Sequence, residues 1–177
     1  MFTMHIAKEK AFESVYTLME QAFPPTEHRN RESQYALLQN PRYSYRILQT
    51  EAGEFLGFLA VWDFGEFRFA EHFAVNEASR GKGVGANALR QWMEEADTPV
   101  VLEVELPETE IAQRRIRFYQ RIGFQLNSFP YVQPSMQPGQ PSIPLQIMSW
   151  PEKISEGRFQ PWKKLIYHEV YGQPSTP

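Results

Sequence analysis

A chain of 177 residues with 42% apolar, 22% charged and 14% aromatic side chains has the composition of one globular domain with a sizeable core, which excludes a wholly disordered polymer. Its net charge of −3 gives no support to a general polyanion binder, and its lack of cysteine excludes a disulfide framework, thiolate metal sites and a cysteine nucleophile. Residues 1–12 carry Lys8, Glu9 and Lys10 without an apolar block, unlike a secretory leader. The longest apolar stretch, residues 55–62, falls far short of the ~20 residues of a membrane helix. The expectation is a soluble cytoplasmic protein with neither nucleic acid nor membrane as partner. His5, His28, His72 and His168 are scattered without i,i+4 pairing, so no metal cofactor is expected.

Residues 2–6 suit a short strand. Phe12, Val15, Tyr16, Met19 and Phe23 recur at helical spacing until Pro24-Pro25 stops them. Thr26 can cap a second helix that ends before Asn40-Pro41. Residues 43–50, 55–64 and 67–75 then form three strands joined by short turns, an antiparallel meander. Val84, Ala88, Leu89, Trp92, Met93 and Ala96 form a helical stripe, followed by a strand over 100–106, a helix over 109–122 with Gly123 at its end, and another strand from Phe124. A meander followed by alternating strands and helices predicts an α/β fold: a mixed, mostly antiparallel sheet with helices on both faces. Beyond Pro130, which begins a segment holding nine of the fourteen prolines, the pattern predicts a loop over 130–144, a strand over 145–150 and a short helix starting at Pro161. That helix would pack within the chain or on a second subunit, leaving monomer and homodimer both open. The last residues are expected to fray.

Three of the ten glycines fall in the run Arg80-Gly81-Lys82-Gly83-Val84-Gly85-Ala86, between a strand and an amphipathic helix. Successive backbone N–H groups there converge on one concavity, the helix start adds positive potential, and glycine admits a phosphate close to the backbone. The run predicts a pyrophosphate cradle. It also satisfies G-x-G-x-x-G/A, with Glu103 about 20 residues on, so a nicotinamide or S-adenosylmethionine ligand stays open. Against that ligand, the polar residues 76–80 separate the strand from the first glycine, and some 75 residues precede the unit.

Phe73-Ala74-Val75 followed by Arg80-Gly81-Lys82-Gly83-Val84-Gly85 resembles the acetyl-CoA signature of the GNAT superfamily of N-acetyltransferases, (Q/R)-x-x-G-x-(G/A) after a strand ending in Ala-Val. Phe118-Tyr119-Gln120-Arg121-Ile122-Gly123-Phe124 is similar to its F-Y-x-x-x-G-F segment. The resemblance spans about residues 3–150, making 1–150 the acetyltransferase domain and 151–177 an extension, within a bacterial branch. It implies a V-shaped cleft between the strands ending at Val75 and starting at Val100. Phe73, Ala74, Val75 and Phe118 would line the acetyl-CoA site, and the amides of Arg80, Gly81, Lys82, Gly83, Val84, Gly85 and Ala86 would hold its pyrophosphate. The acceptor would be the primary amine of a small molecule or peptide, attacking directly in a ternary complex. A non-catalytic acyl-CoA-binding domain is the alternative on the same fold.

Amine acetylation needs a base and an acid. The resemblance makes Tyr119 the acid and favours a base on the strand 67–75. Alternation there puts Phe67, Phe69, Glu71, Phe73 and Val75 on one face, with Glu71 its single charge and His72 on the other face as a buried, hydrogen-bonded histidine. Glu103 is the reserve base. On the helix before Tyr119, Arg115 falls beside Ile111 and Ile122 at helical spacing, which predicts either a buried Arg115–Glu103 pair or an Arg115 that snorkels to water or reaches a CoA phosphate.

Overall fold

The computed structural model describes residues 1–174; the expected fraying of the last three residues lies outside the described residues. Its elements are β1 (Phe2–Ala7), α1 (Phe12–Ala22), α2 (Arg31–Ala36), β2 (Tyr43–Thr50), β3 (Phe55–Asp63), β4 (Arg68–Val75), α3 (Val84–Met93), β5 (Val100–Glu105), α4 (Glu110–Ile122), β6 (Gln125–Leu126), β7 (Tyr131–Gln133), β8 (Ile143–Trp150) and α5 (Glu156–Leu165), with short 3-10 turns and a π turn at 166–170. The fold is mixed α and β with mostly antiparallel strands, as the sequence predicts. Packing groups the chain into two compact units, Met1–Val100 and Val101–Pro177. None of the helices among the described residues is long and apolar enough to cross a membrane.

In the first unit β1, β2, β3 and β4 neighbour one another in chain order, and every pairing is antiparallel. α1 buries Phe12, Val15, Tyr16 and Met19 as its spacing predicts, and Leu18 as well, while Phe23 falls past its end as the C-cap. The second helix starts at Arg31, not after Thr26. Asn30 caps it, its side chain accepting from the Ser33 amide. Residues 26–29 are instead drawn into tertiary contacts with β4, which outweigh a local cap signal.

One extra residue interrupts β4. Ala60 pairs with His72 and Val61 with Ala70, so Glu71 has no opposite number on β3. Such a bulge turns two successive side chains the same way and breaks the alternation. The contacts follow. Arg68 reaches the end of α3, and an added Cβ on Gly85 of α3 would stand 2.9 Å from the Phe73 ring and 3.3 Å from Val75. Glu71 and His72 instead both meet the α1–α2 side, where Arg29 bonds Glu71 and the Phe23 ring packs on His72 at 4.9 Å. Helices thus lie on both faces of β4, and the expected face shared by Glu71, Phe73 and Val75 does not form.

Arg68 anchors α3. Its guanidinium donates to the carbonyls of Trp92 (2.7 Å), Met93 (2.8 Å) and Ala96 (2.9 Å) and to the Thr98 hydroxyl (2.9 Å). It lies 4.7 Å from the Trp92 ring centroid. These carbonyls are the acceptors a helix end leaves orphaned, and a cation there also complements the helix dipole. Burial lowers the Arg68 pKa.

In the second unit β8 neighbours β5 and pairs antiparallel with β6 and β7. β7 pairs Tyr131 with Leu145 inside the stretch expected to be loop; three residues flanked by prolines carry too short a period to be seen. α4 begins after the Thr109 cap and ends at Gly123 with φ 116°, as expected. α5 begins at the Ser155 cap, five residues before the expected start, with Pro161 inside it. Buried Phe159, Trp162, Ile166 and Val170 make its packed stripe. Buried Asn127 ties β6 to β8 and to the approach to α5, donating to the Ile147 carbonyl and Ser149 hydroxyl and accepting from the Ile154 amide.

Replacing Arg68 by Met removes the cation from the end of α3 and is expected to destabilise the protein by about 3 kcal/mol, since hydrogen bonds to charged groups contribute about 1.5–3 kcal/mol each. Arg68→Lys should recover only part of it, because an ammonium lacks the planar fork. Urea denaturation followed by tryptophan fluorescence measures both.

Candidate functional site

In the first unit the site is built where β4 gives way to α3. Asn76 closes β4, its side-chain amide donating to the Phe55 carbonyl and its Oδ1 accepting from the Ser79 amide. The polar residues 76–80 are therefore a tight 3-10 turn. Arg80 bonds back to the Val75 carbonyl at 3.4 Å. Gly81 and Gly83 both hold φ 75°, a conformation costly to residues with a Cβ. Gly83 is the N-cap of α3 and supplies no side-chain cap, so the first amides of the helix are left to an anion. Arg80, Lys82 and both glycines are exposed, and Val84, Gly85 and Ala86 are half-buried. Gly85 serves packing instead, since the Phe73 ring occupies the place of its missing side chain, which lets helix and strand touch. This strand-to-cradle arrangement fits the diphosphate of a coenzyme A ester by its donor set.

Glu71 lies in the same unit, in a buried polar network. Its side chain is 2% exposed. Oε1 accepts from Arg29 at 2.6 Å and Oε2 from the Trp62 indole at 2.9 Å. Arg29, itself buried, donates also to Gln34, whose amide donates to the hydroxyls of Tyr43 and Tyr45. Burial alone would raise the Glu71 pKa; Arg29, His72 and the two hydrogen bonds outweigh it and hold the carboxyl below its ordinary value. His72 has its Nε2 2.6 Å from the Glu27 carbonyl, which makes Nε2 the protonated nitrogen. Burial lowers its pKa. It is the buried, hydrogen-bonded histidine expected, although on the same side as Glu71.

Glu103, Phe118 and Tyr119 belong to the second unit. Glu103, on β5, is half-buried and accepts a hydrogen bond from the Tyr171 hydroxyl. Tyr119 is half-buried on α4, its ring against Phe118 and Phe124 at 5.3 and 5.7 Å. Burial raises the Tyr119 pKa, with the Arg115 cation opposing. Arg115 does not pair with Glu103. It meets Glu105 at 2.9 Å, with both side chains about 40% exposed. Ile111, its supposed apolar neighbour, is 68% exposed although Ile122 is buried, so the N-terminal part of that stripe faces water. An exposed pair of this kind contributes about 0–1 kcal/mol, not the several of a buried one.

Sequence reasoning missed Arg29 and Tyr171. Arg29 lies in a loop without periodicity, and Tyr171 lies 68 residues from its carboxylate; neither carries a local signal.

A sequence model of the acetyltransferase (GNAT) family matches residues 12–124. A GNAT-family protein from Bacteroides thetaiotaomicron superposes with a TM-score of 0.89 at 31% identity, covering 97% of this chain and 99% of that one. The ribosomal-protein-S18-alanine N-acetyltransferase of Escherichia coli superposes with a TM-score of 0.65 at 17% identity (88% and 96% covered), and Ard1 of Thermoplasma volcanium with 0.62 at 24% identity (84% and 95% covered); these two are alike in fold. No curated protein sequence matches.

The Arg29–Glu71 pair yields a prediction. Removing either partner leaves a buried charge uncompensated, so Glu71→Gln or Arg29→Met should each cost about 3–5 kcal/mol, and the double variant much less than their sum. Glu71 has a depressed pKa in the fold, so its contribution is complete above the unfolded carboxyl value near 4.3 and disappears as pH falls through the folded value. His72, also depressed, loses its share as pH falls below about 6.5. Denaturation between pH 7 and 3 should show the wild type approaching Glu71→Gln in stability as the pH drops.

Proposed function

The chain belongs to the acetyltransferase (GNAT) family and is an acyltransferase; we propose that it moves an acetyl group from acetyl-CoA to a primary amine, by direct transfer with both substrates bound. The observation that carries the donor is the turn at 80–86: two left-handed glycines deliver the chain into an uncapped helix start flanked by Arg80 and Lys82. Acetyl-CoA, when bound, supplies an acetyl group activated as a thioester. The amides of residues 80–86 would hold its diphosphate, and Phe73, Ala74 and Val75 would line the path beyond it.

An ammonium has no lone pair to offer, so a base must take its proton. Two candidates arise from the sequence. Glu71 is held ionised with both oxygens already accepting hydrogen bonds, and moving it would break its ion pair with buried Arg29. Glu103 accepts at Oε1 from a neutral hydroxyl, that of Tyr171, a bond that still permits the carboxylate to gain a proton. This supports Glu103 as the base and Glu71 as a structural anion. Tyr119 supplies the proton to the departing thiolate. Its raised pKa keeps it protonated at neutral pH. An ordinary phenol of pKa about 10 is already a weaker acid than a thiol of about 8.5, and burial weakens Tyr119 further, so the transfer is uphill and follows departure of the thiolate.

Acetyl-CoA should raise the melting temperature, by the equivalent of about 2.7 kcal/mol at a hundredfold excess over Kd. Gly83→Val should remove most of that ligand-dependent rise, because valine cannot hold φ 75°. A rise with NAD or S-adenosylmethionine in place of acetyl-CoA would overturn the donor assignment.

Turnover is read as release of the CoA thiol over a panel of polyamines, simple primary amines and peptides with free N-termini. Tyr119→Phe is expected to lower kcat by about 10²–10⁴ with little change in acetyl-CoA affinity, and Glu103→Gln by a similar factor. Retention of full turnover by Glu103→Gln, with loss in a Glu71→Gln protein that stays folded, would return the base to Glu71.

A further inference from the structure

The last turns of the chain lie beyond the family match, which ends at residue 124, yet they reach the candidate base. After α5 the helix widens into a π turn over Ile166–Val170, in which the Tyr171 amide bonds the Ile166 carbonyl at 3.3 Å. Gly172, at φ 63°, ends it, and the Gln173 amide returns to the Tyr167 carbonyl at 2.9 Å. Inserted π turns re-aim the side chains that follow them and occur often at functional sites. Here Ile166 and Val170 are buried, while half-buried Tyr167 and Tyr171 stand together, ring centroids 6.4 Å apart. Their hydroxyls diverge: Tyr167 donates to the Val132 carbonyl and Tyr171 to Glu103 Oε1.

We propose that Tyr171 is a positioning residue for catalysis, orienting the Glu103 carboxylate and holding it ready to accept the acceptor's proton. The inference rests on the assignment of Glu103 as base. An ionised carboxylate only accepts, so the phenol must be the donor. The bond therefore favours the ionised base and weakens as Glu103 takes up a proton, which lowers the pH at which the base is lost. The groups around Glu103 in this unit are compatible. Tyr167 faces it and is neutral, its pKa raised by burial first and by the Glu103 charge second. Glu105, two residues along β5, is neutralised at the surface by Arg115 of α4. Tyr171 thus fixes Glu103 without bringing a positive charge beside a site that receives an ammonium.

The test is Tyr171→Phe, which keeps the ring and removes only the donor, with a melting scan to confirm folding. Carbon-13 NMR of protein labelled at the glutamate carboxyl carbons, with the Glu103 resonance assigned by its loss in Glu103→Gln, reads the titration midpoint of Glu103. Tyr171→Phe should raise that midpoint by about one pH unit, the scale set by a hydrogen bond to a charged group. The acidic limb of kcat/KM should move up by the same amount, with the KM for acetyl-CoA within about twofold, because differences of that size are negligible in free energy. An unmoved midpoint in a folded Tyr171→Phe protein overturns the proposal, as does a raised midpoint with an unmoved acidic limb. If Glu103→Gln is inactive in either case, the base assignment stands and this inference alone fails. If Glu103→Gln turns over at the wild-type rate, the base assignment fails and takes this inference with it.

Discussion

An unmatched residue in β4, Glu71, organises the first unit. Because Ala60 faces His72 and Val61 faces Ala70, the strand presents Phe73 and Val75 to α3 and turns Glu71 and His72 toward α1 and the loop that follows it. Without the bulge, alternation would put Glu71 beside Phe73, under the cradle helix, where it would be a charge without a partner. With it, Glu71 meets Arg29 and Trp62, and a carboxylate that costs several kcal/mol to bury alone becomes the hub of a bonded network. That network determines the path of residues 26–30 and the start of α2. One inserted residue thus separates Glu71 from the face that packs against α3.

The other face of β4 sets the cradle in place by two contacts at opposite ends of α3. Gly85 lets the start of the helix rest on the Phe73 ring and Val75, and Arg68 gathers the carbonyls at its end. Five residues separate Arg68 from Phe73 along the strand, so strand and helix run alongside each other with both ends pinned. A cation buried at the helix end and an uncapped start facing solvent are complementary halves of one dipole. The helix is held at its C-terminal end by Arg68 and has no side-chain cap at its start.

The two candidate bases show how environment assigns roles to identical side chains. Glu71 is bound to a cation and an indole inside the protein, and Glu103 to a phenol contributed by the last helical turn. An ion pair holds charge and structure. A neutral donor holds orientation and still permits the carboxylate to gain a proton. Tyr171 thereby brings a residue from beyond the segment that the family shares against the β5 carboxylate.

Much of this was written locally. The meander, the helices at 84–93 and 110–122 and the glycine turn between β4 and α3 follow from hydrophobic period, Thr109 and Gly123 as helix ends, and glycines where only positive φ closes the turn. These signals lie within a few residues of what they determine, and the two motifs that carry the family lie among them. The sequence alone could not assign Glu71, Arg115 or Tyr171. A bulge changes which way every later side chain points without changing a residue's identity, so period-2 reasoning wrongly grouped Phe73 and Val75 with Glu71. Glu103 and Glu105 lie two residues apart on one strand, and only the placement of α4 pairs Arg115 with Glu105. Tyr171 meets Glu103 across 68 residues of chain, and a contact of that separation exists only once β5 and the final helix have packed.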